Sequence, residues 1–144
     1  MRRISVAALL LVISVAAFAQ DAAKASVFYP EASKEAQVVC GNARFTVLTP
    51  RLIRMEWAEN GIFEDRATLG IVNRNLSVPA FKVKKSSSKT VITTSALSHE
   101  YKGTGKFDAN DLSVTFTMAD PSSKKGVKKV TWRPGMDDSA NLLG

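Results

Sequence analysis

The side chains able to do chemistry in this sequence are few. Carboxylates stand together twice, as Glu64-Asp65 beside Arg66 and as Asp137-Asp138. Glycosidic hydrolysis by retention needs two carboxyls ~5–5.5 Å apart and aimed at one bond. Adjacent residues of an extended chain point to opposite faces, so Glu64 and Asp65 are not a preformed acid/base pair. Beside Arg66 they read as a salt bridge or a turn-fixing group in preference to a sugar-hydroxyl contact. Asp137-Asp138, in a glycine-containing tail with no scaffold, reads as a solvated loop. The one histidine, His99, alternates with Leu97 and Tyr101. No motif supplies the orienting partner that a general base requires, so a hydrogen-bonded core histidine is expected.

The one cysteine, Cys40, follows Val38-Val39 and is expected as a buried thiol that packs as a small hydrophobe. A single Cys and a single His exclude an intrachain disulfide framework and argue against a zinc site or a Cys/His nucleophile pair. No Gly-rich phosphate loop, zinc spacing, G-x-S-x-G elbow or Walker motif is present. The residues therefore assign no catalytic group, no metal ligand and no cofactor.

Trp57, Trp132, Tyr29 and Tyr101 have faces on which a sugar could stack. Trp57 and Trp132 fall on the apolar phase of their strands and are expected in the core; Tyr29, in an irregular stretch, is less constrained. Two lysine clusters remain, Lys82, Lys84, Lys85 and Lys89, then Lys124, Lys125, Lys128 and Lys129. Such clusters attract nucleic acid, but both flank turns, where lysine discourages edge-to-edge strand pairing. A nucleic-acid partner is not expected.

The elements that must position these residues follow from a period of two. Phe45 and Val47 alternate with Arg44 and Thr46, Thr49-Pro50 turns, and Ile53, Met55 and Trp57 then oppose Arg54 and Glu56. That is a half-buried hairpin. Leu69-Gly70-Ile71-Val72 is a short apolar run. Phe81 and Val83 lead into a Lys/Ser turn and back through Thr90 to Thr94. Leu97, His99 and Tyr101 share a face, Leu112, Val114, Phe116 and Met118 alternate most cleanly, and Val130 and Trp132 close the series. About eight short strands with turn signals between them, and no sustained helical period, predict an all-β fold, an antiparallel β-sandwich.

The chain has 144 residues and a net charge of +7, enough for one domain and too few for a (β/α)8 barrel, which needs at least ~200. Its first nineteen residues are unlike the rest: fifteen are hydrophobic and none is acidic. Arg2 and Arg3, the apolar run Val6 to Val15, and the exit Ala17-Phe18-Ala19 have the form of a signal peptide cleaved before Gln20. An exported protein, periplasmic or secreted, is expected. Beyond that segment no apolar run is long enough to span a bilayer, so no membrane association is expected after cleavage. The expected organisation is a signal peptide over 1–19, a lead-in or linker over 20–37, and a β-sandwich over 38–144.

Several segments together resemble the N-terminal β-sandwich of glycoside hydrolase family 31: Arg44-Phe45-Thr46-Val47-Leu48-Thr49-Pro50-Arg51-Leu52-Ile53-Arg54-Met55-Glu56-Trp57, then Phe63-Glu64-Asp65-Arg66-Ala67-Thr68, then Val72-Asn73-Arg74. Thr131-Trp132-Arg133-Pro134-Gly135 with Asp138 and Asn141-Leu142-Leu143-Gly144 is similar to the family's stretch leading on to its catalytic barrel. The resemblance implies a galactose mutarotase-like sandwich packed beside a (β/α)8 barrel that hydrolyses terminal α-glycosidic bonds with two carboxylates. The family's aromatic-x-Asp-Met nucleophile motif has no match here, so no catalytic residue is carried over and no sugar-contacting residue is assigned. The expectation is an inactive, truncated N-terminal domain of an exported α-glucosidase or α-xylosidase type enzyme, its partners a carbohydrate and a missing or separate barrel. The rival expectation is a stand-alone exported carbohydrate-binding or adhesion module.

Overall fold

A computed structural model of the chain describes residues 28–103 and 105–136. The expected signal peptide, the first part of the lead-in, Asp137-Asp138 and the final Asn141-Leu142-Leu143-Gly144 lie outside the described residues. Within them the protein is all β, two antiparallel sheets with one short 3-10 turn at Lys34–Ala36.

The first sheet comprises β1 (Gln37–Cys40), β2 (Ala43–Thr49) and β3 (Leu52–Trp57), in that spatial order. The second comprises β4 (Lys82–Lys85), β5 (Thr90–Thr93), β6 (Leu97–Tyr101), β7 (Leu112–Ala119) and β8 (Val127–Trp132), again in sequence order. Neighbouring strands are consecutive and antiparallel, joined by connections of two to four residues except the longer ones between β6 and β7 and between β7 and β8. The β1–β2 turn contains Gly41 at φ 56°, a left-handed position that a Cβ would strain.

The registers explain which side chains meet. Opposite Phe45 in β2 stand Val38 and Met55, and opposite Val47 stands Ile53. In the second sheet one row runs Ile92, His99, Val114, Trp132, and another runs Thr90, Tyr101, Leu112. These inward faces meet in one core of Val38, Ala43, Phe45, Val47, Ile92, Tyr101 and Leu112, with Met55, Trp57 and Phe107 packed against it. Phe45 is its centre, with the His99 ring 4.4 Å away, Tyr101 at 5.2 Å and Phe107 at 5.7 Å. Rings at these separations add to the stabilisation from burial alone.

Three of the expectations need correction. The apolar run at 69–72 is not a strand; Leu69 and Val72 are exposed, residues 58–81 are irregular, and Phe63, Glu64 and Asp65 among them cover the outward face of the first sheet. The end of the lead-in is not loose: Ala32 and Ala36 are buried, and the Tyr29 carbonyl accepts from the Arg74 amide at 2.7 Å. Trp132 keeps its inward phase but is 39% exposed, because the three-stranded sheet does not reach far enough to cover β8.

Candidate functional site

The outward face of the first sheet is unusual. The β2–β3 register sets Arg44 against Glu56 and Thr46 against Arg54, so charges lie on the side that alternation assigns to water. Here that side is covered, and the Arg44 side chain is only 4% exposed. A buried guanidinium must be paired and its N–H groups satisfied. Arg44 Nε donates to Glu56 at 2.9 Å, Nη1 to Asp65 at 2.7 Å, and Nη2 to Glu56 at 3.1 Å and to the Glu64 carbonyl at 3.2 Å. The guanidinium also lies 4.8 Å over the Phe63 ring. Burial pulls the Arg44 pKa down, but Glu56 and Asp65 outweigh it and hold the group above its ordinary value.

Arg54 forms a short ion pair with Glu56 and donates to the Glu64 carbonyl. Arg74, itself buried, donates to the carbonyls of Pro30, Glu64, Asp65 and Arg66. Three arginines, Glu56 and Asp65 thus gather the irregular covering into one polar knot. Carbonyls with no sheet partner must be satisfied somewhere, and here guanidinium groups do it.

Glu64-Asp65-Arg66 divides as the sequence reading expected. Glu64 pairs with Arg66 at 2.6 Å in solvent, and Asp65 turns inward to Arg44. Hydrogen bonding from Arg66 holds the Glu64 carboxyl down to about 2, so it is ionised at all ordinary pH values and is no proton donor.

A second region lies between the sheets beyond β3. A cleft of about 220 Å³ is lined by Arg51, Ile53, Met55, Leu97, His99, Phe116 and Trp132, among others. It adjoins a larger groove of about 930 Å³ that runs over Phe116 and Met118 and is bounded by Pro50 and Arg51. His99 is fully buried at its floor, as the alternation requires. The expected hydrogen bond is missing, however: neither ring nitrogen has a partner among the described residues. The row neighbours Ile92 and Val114 and the tilted Phe45 ring offer none. Burial lowers the imidazole pKa to about 4, weakly opposed by its own main chain, so the ring is neutral.

Cys40 is half-buried at the core edge, where the Thr90 hydroxyl contacts its Sγ at 3.4 Å. Trp57 packs on the core with Lys106 Nζ 5.2 Å over its ring. Tyr101 is buried and donates to the Gly105 carbonyl at 2.7 Å. The lysines map onto edges, with Lys82, Lys84 and Lys85 on β4 and Lys128 and Lys129 on β8, the two outer strands of the larger sheet. Tyr29 differs from the other aromatics. The residue is 56% exposed, while its backbone is fixed by Asn73, Arg74 and Asn75. Among the described residues no three His, Cys, Asp or Glu side chains gather as metal ligands, and no helix is long and apolar enough to cross a membrane.

Sequence reasoning missed the centrality of Arg44. The signal that could have found it is cross-strand: Arg44, Arg54 and Glu56 share a phase on paired strands. No family model matches the sequence, and no curated protein matches it either.

Proposed function

We propose that this chain is the non-catalytic, carbohydrate-associated β-sandwich of an exported glycoside hydrolase of family 31 type, of α-glucosidase or α-xylosidase kind. In this reading the domain is a rigid support, silent alone, and the hydrolytic carboxylates belong to a barrel outside it. One observation carries the reading. Five residues within the segments that carry the resemblance, Arg44, Arg54, Glu56, Asp65 and Arg74, lie far apart in sequence yet converge in a single knot. They converge to hold a backbone, with each carboxylate engaged by an arginine, and that is the work of a scaffold. Assay of the purified chain on aryl α-glucoside and α-xyloside tests it. No turnover above buffer is expected, and turnover that co-purifies with the protein would overturn the proposal.

A second reading, a self-sufficient carbohydrate-binding module, draws on Tyr29. An exposed ring on a fixed backbone loses little freedom when a sugar stacks on it. Phe28, also exposed, lies beside it in sequence. Calorimetry against maltose-type and xylo-type oligosaccharides separates the two: a measurable Kd that Tyr29→Ala abolishes favours the module, and a flat titration removes it.

A further inference from the structure

The cleft between the sheets is walled by Ile53, Met55, Leu97, Val114, Phe116 and Trp132. Apart from the Trp132 indole, two lining side chains carry polar atoms, Arg51 and His99, and they lie at opposite depths. His99 is fully buried at the floor. Arg51 is exposed and also borders the larger groove, so it stands at the mouth. Among the described residues neither side chain has a partner. Arg44, Arg54 and Arg66 are ion-paired, and Arg74 and Arg133 donate to carbonyls. Arg51 bonds through its amide alone, to the Thr49 hydroxyl at 3.2 Å. Both imidazole nitrogens of His99 are unmet and shut off from water.

A neutral imidazole holds one donor and one acceptor nitrogen, and a buried polar atom left without a partner is destabilising. A pair left unmet in a folded core points to a partner that binds. A hydroxyl both donates and accepts, so it meets either nitrogen in either tautomer. The guanidinium at the mouth suits a carboxylate, which it takes in a fork. Between the two, the walls suit a ring: Phe116 and Trp132 offer aromatic faces and Met55 a thioether. A cavity of about 150 Å³ holds benzene, so one of about 220 Å³ takes a single substituted ring. We propose that this cleft binds a small phenolic carboxylate, with its hydroxyl on His99, its ring among Met55, Phe116 and Trp132, and its carboxylate on Arg51. Nothing in this depends on the glycosidase reading.

The fold fixes both ends of the site. Arg51 lies in the two-residue turn between β2 and β3. The Pro50 carbonyl beside it accepts from the Thr94 hydroxyl at 2.6 Å, and that hydroxyl also takes the Ala96 and Leu97 amides. The mouth is thereby pinned to the β5–β6 turn, and a pinned site loses little freedom on binding. At the floor, register holds His99 between Ile92 and Val114, with the Phe45 ring 4.4 Å away. Burial keeps the imidazole neutral, so it offers an acceptor as well as a donor. No acidic side chain lines the cleft or the groove, and nothing there repels a carboxylate. Leu52 and Trp132 are the exposed apolar residues of the lining, and the ligand reaches the floor by displacing them.

His99 is the one histidine of the chain, so its ring nitrogens report on the site without ambiguity. Nitrogen NMR of the full chain, titrated with para-hydroxyphenylpropionate, should show one of them moving saturably in the sense of a new hydrogen bond. A nitrogen already hydrogen-bonded in the free protein would overturn the proposal, as would one that never moves up to the ligand's solubility limit. Calorimetry then separates the two ends. Phenylpropionate, lacking the hydroxyl, should bind about tenfold more weakly. Para-ethylphenol, lacking the carboxylate, should bind about fivefold more weakly, since an ion pair at an exposed mouth is screened. Equal affinity for all three would mean adsorption on apolar surface only and would refute the site. Arg51→Gln should weaken para-hydroxyphenylpropionate about fivefold and leave para-ethylphenol unchanged. His99→Leu should erase the preference for the hydroxyl while phenylpropionate still binds. Should that variant fail to fold, Arg51→Gln still decides: a loss shared equally by both ligands, or no loss, would sink the idea.

Discussion

Acid should weaken this fold through His99 in particular. The perturbation is a change of pH from 7 to 4 on the natural chain and on His99→Leu. An unfolded chain leaves the imidazole at its ordinary value of 6.5, whereas the folded core holds it at about 4. Between those values the unfolded state binds the extra proton, so stability rises with pH across the window. It is fully present above about 6.5, falls on acidification, and is exhausted below about 4. At about 1.4 kcal/mol for each tenfold difference in proton affinity, the loss amounts to about 3 kcal/mol. The surroundings support the sign. Phe45, Ile92 and Val114 meet the ring from three other strands without charge, and the charged residue lining the cleft, Arg51, is itself a cation. Urea denaturation at several pH values, with the two proteins compared at each, cancels the carboxylates they share. The natural chain should lose about 3 kcal/mol more than His99→Leu between pH 7 and 4. The variant should be no less stable at pH 7, since it removes two buried nitrogens without partners. Parallel stability curves for the two proteins would refute the reasoning.

Other perturbations have equally definite outcomes. Arg44→Ala should cost about 3 kcal/mol by chemical denaturation, near the lower end for a broken buried pair because Arg54 still engages Glu56; an effect under about 1 kcal/mol would contradict a central knot. Thr94→Val should cost about 1–2 kcal/mol in the same assay, because its hydroxyl donates to the Pro50 carbonyl at 2.6 Å and accepts from the Ala96 and Leu97 amides. Gly103→Ala should cost about 1 kcal/mol from its φ of 79° alone, since the nearest atoms, Cys40 Sγ at 3.7 Å and Tyr101 Cε1 at 3.9 Å, leave room for a methyl group.

What the sequence revealed depended on how local the cause was. The Phe45–Val47 and Ile53–Trp57 hairpin and the Leu112–Met118 alternation are written in neighbouring residues, and β2, β3 and β7 stand where they were expected. Leu69-Gly70-Ile71-Val72 misled, because an apolar run becomes a strand only when a sheet offers an edge and a face. The main-chain bonds around this run are local, between Thr68 and Ile71, while the buried arginines take the carbonyls of Glu64, Asp65 and Arg66. Glu64-Asp65-Arg66 was legible as a salt bridge, whereas its attachment to Arg44, twenty-one positions earlier, was not. Alternation placed His99 inside, yet whether a buried ring finds a partner depends on what three other strands put opposite it.

The arginine-held covering has a consequence for how the molecule comes apart. Its two-sheet core coheres by excluded water, but residues 58–81 cohere by guanidinium groups grasping carboxylates and carbonyls. Guanidinium chloride supplies a free competitor for that same grip and screens the charges besides; urea supplies no ion. Denaturation by the two agents should therefore follow different orders. In urea the covering and the core leave together, whereas the guanidinium salt strips the covering first and leaves the paired sheets for a later transition.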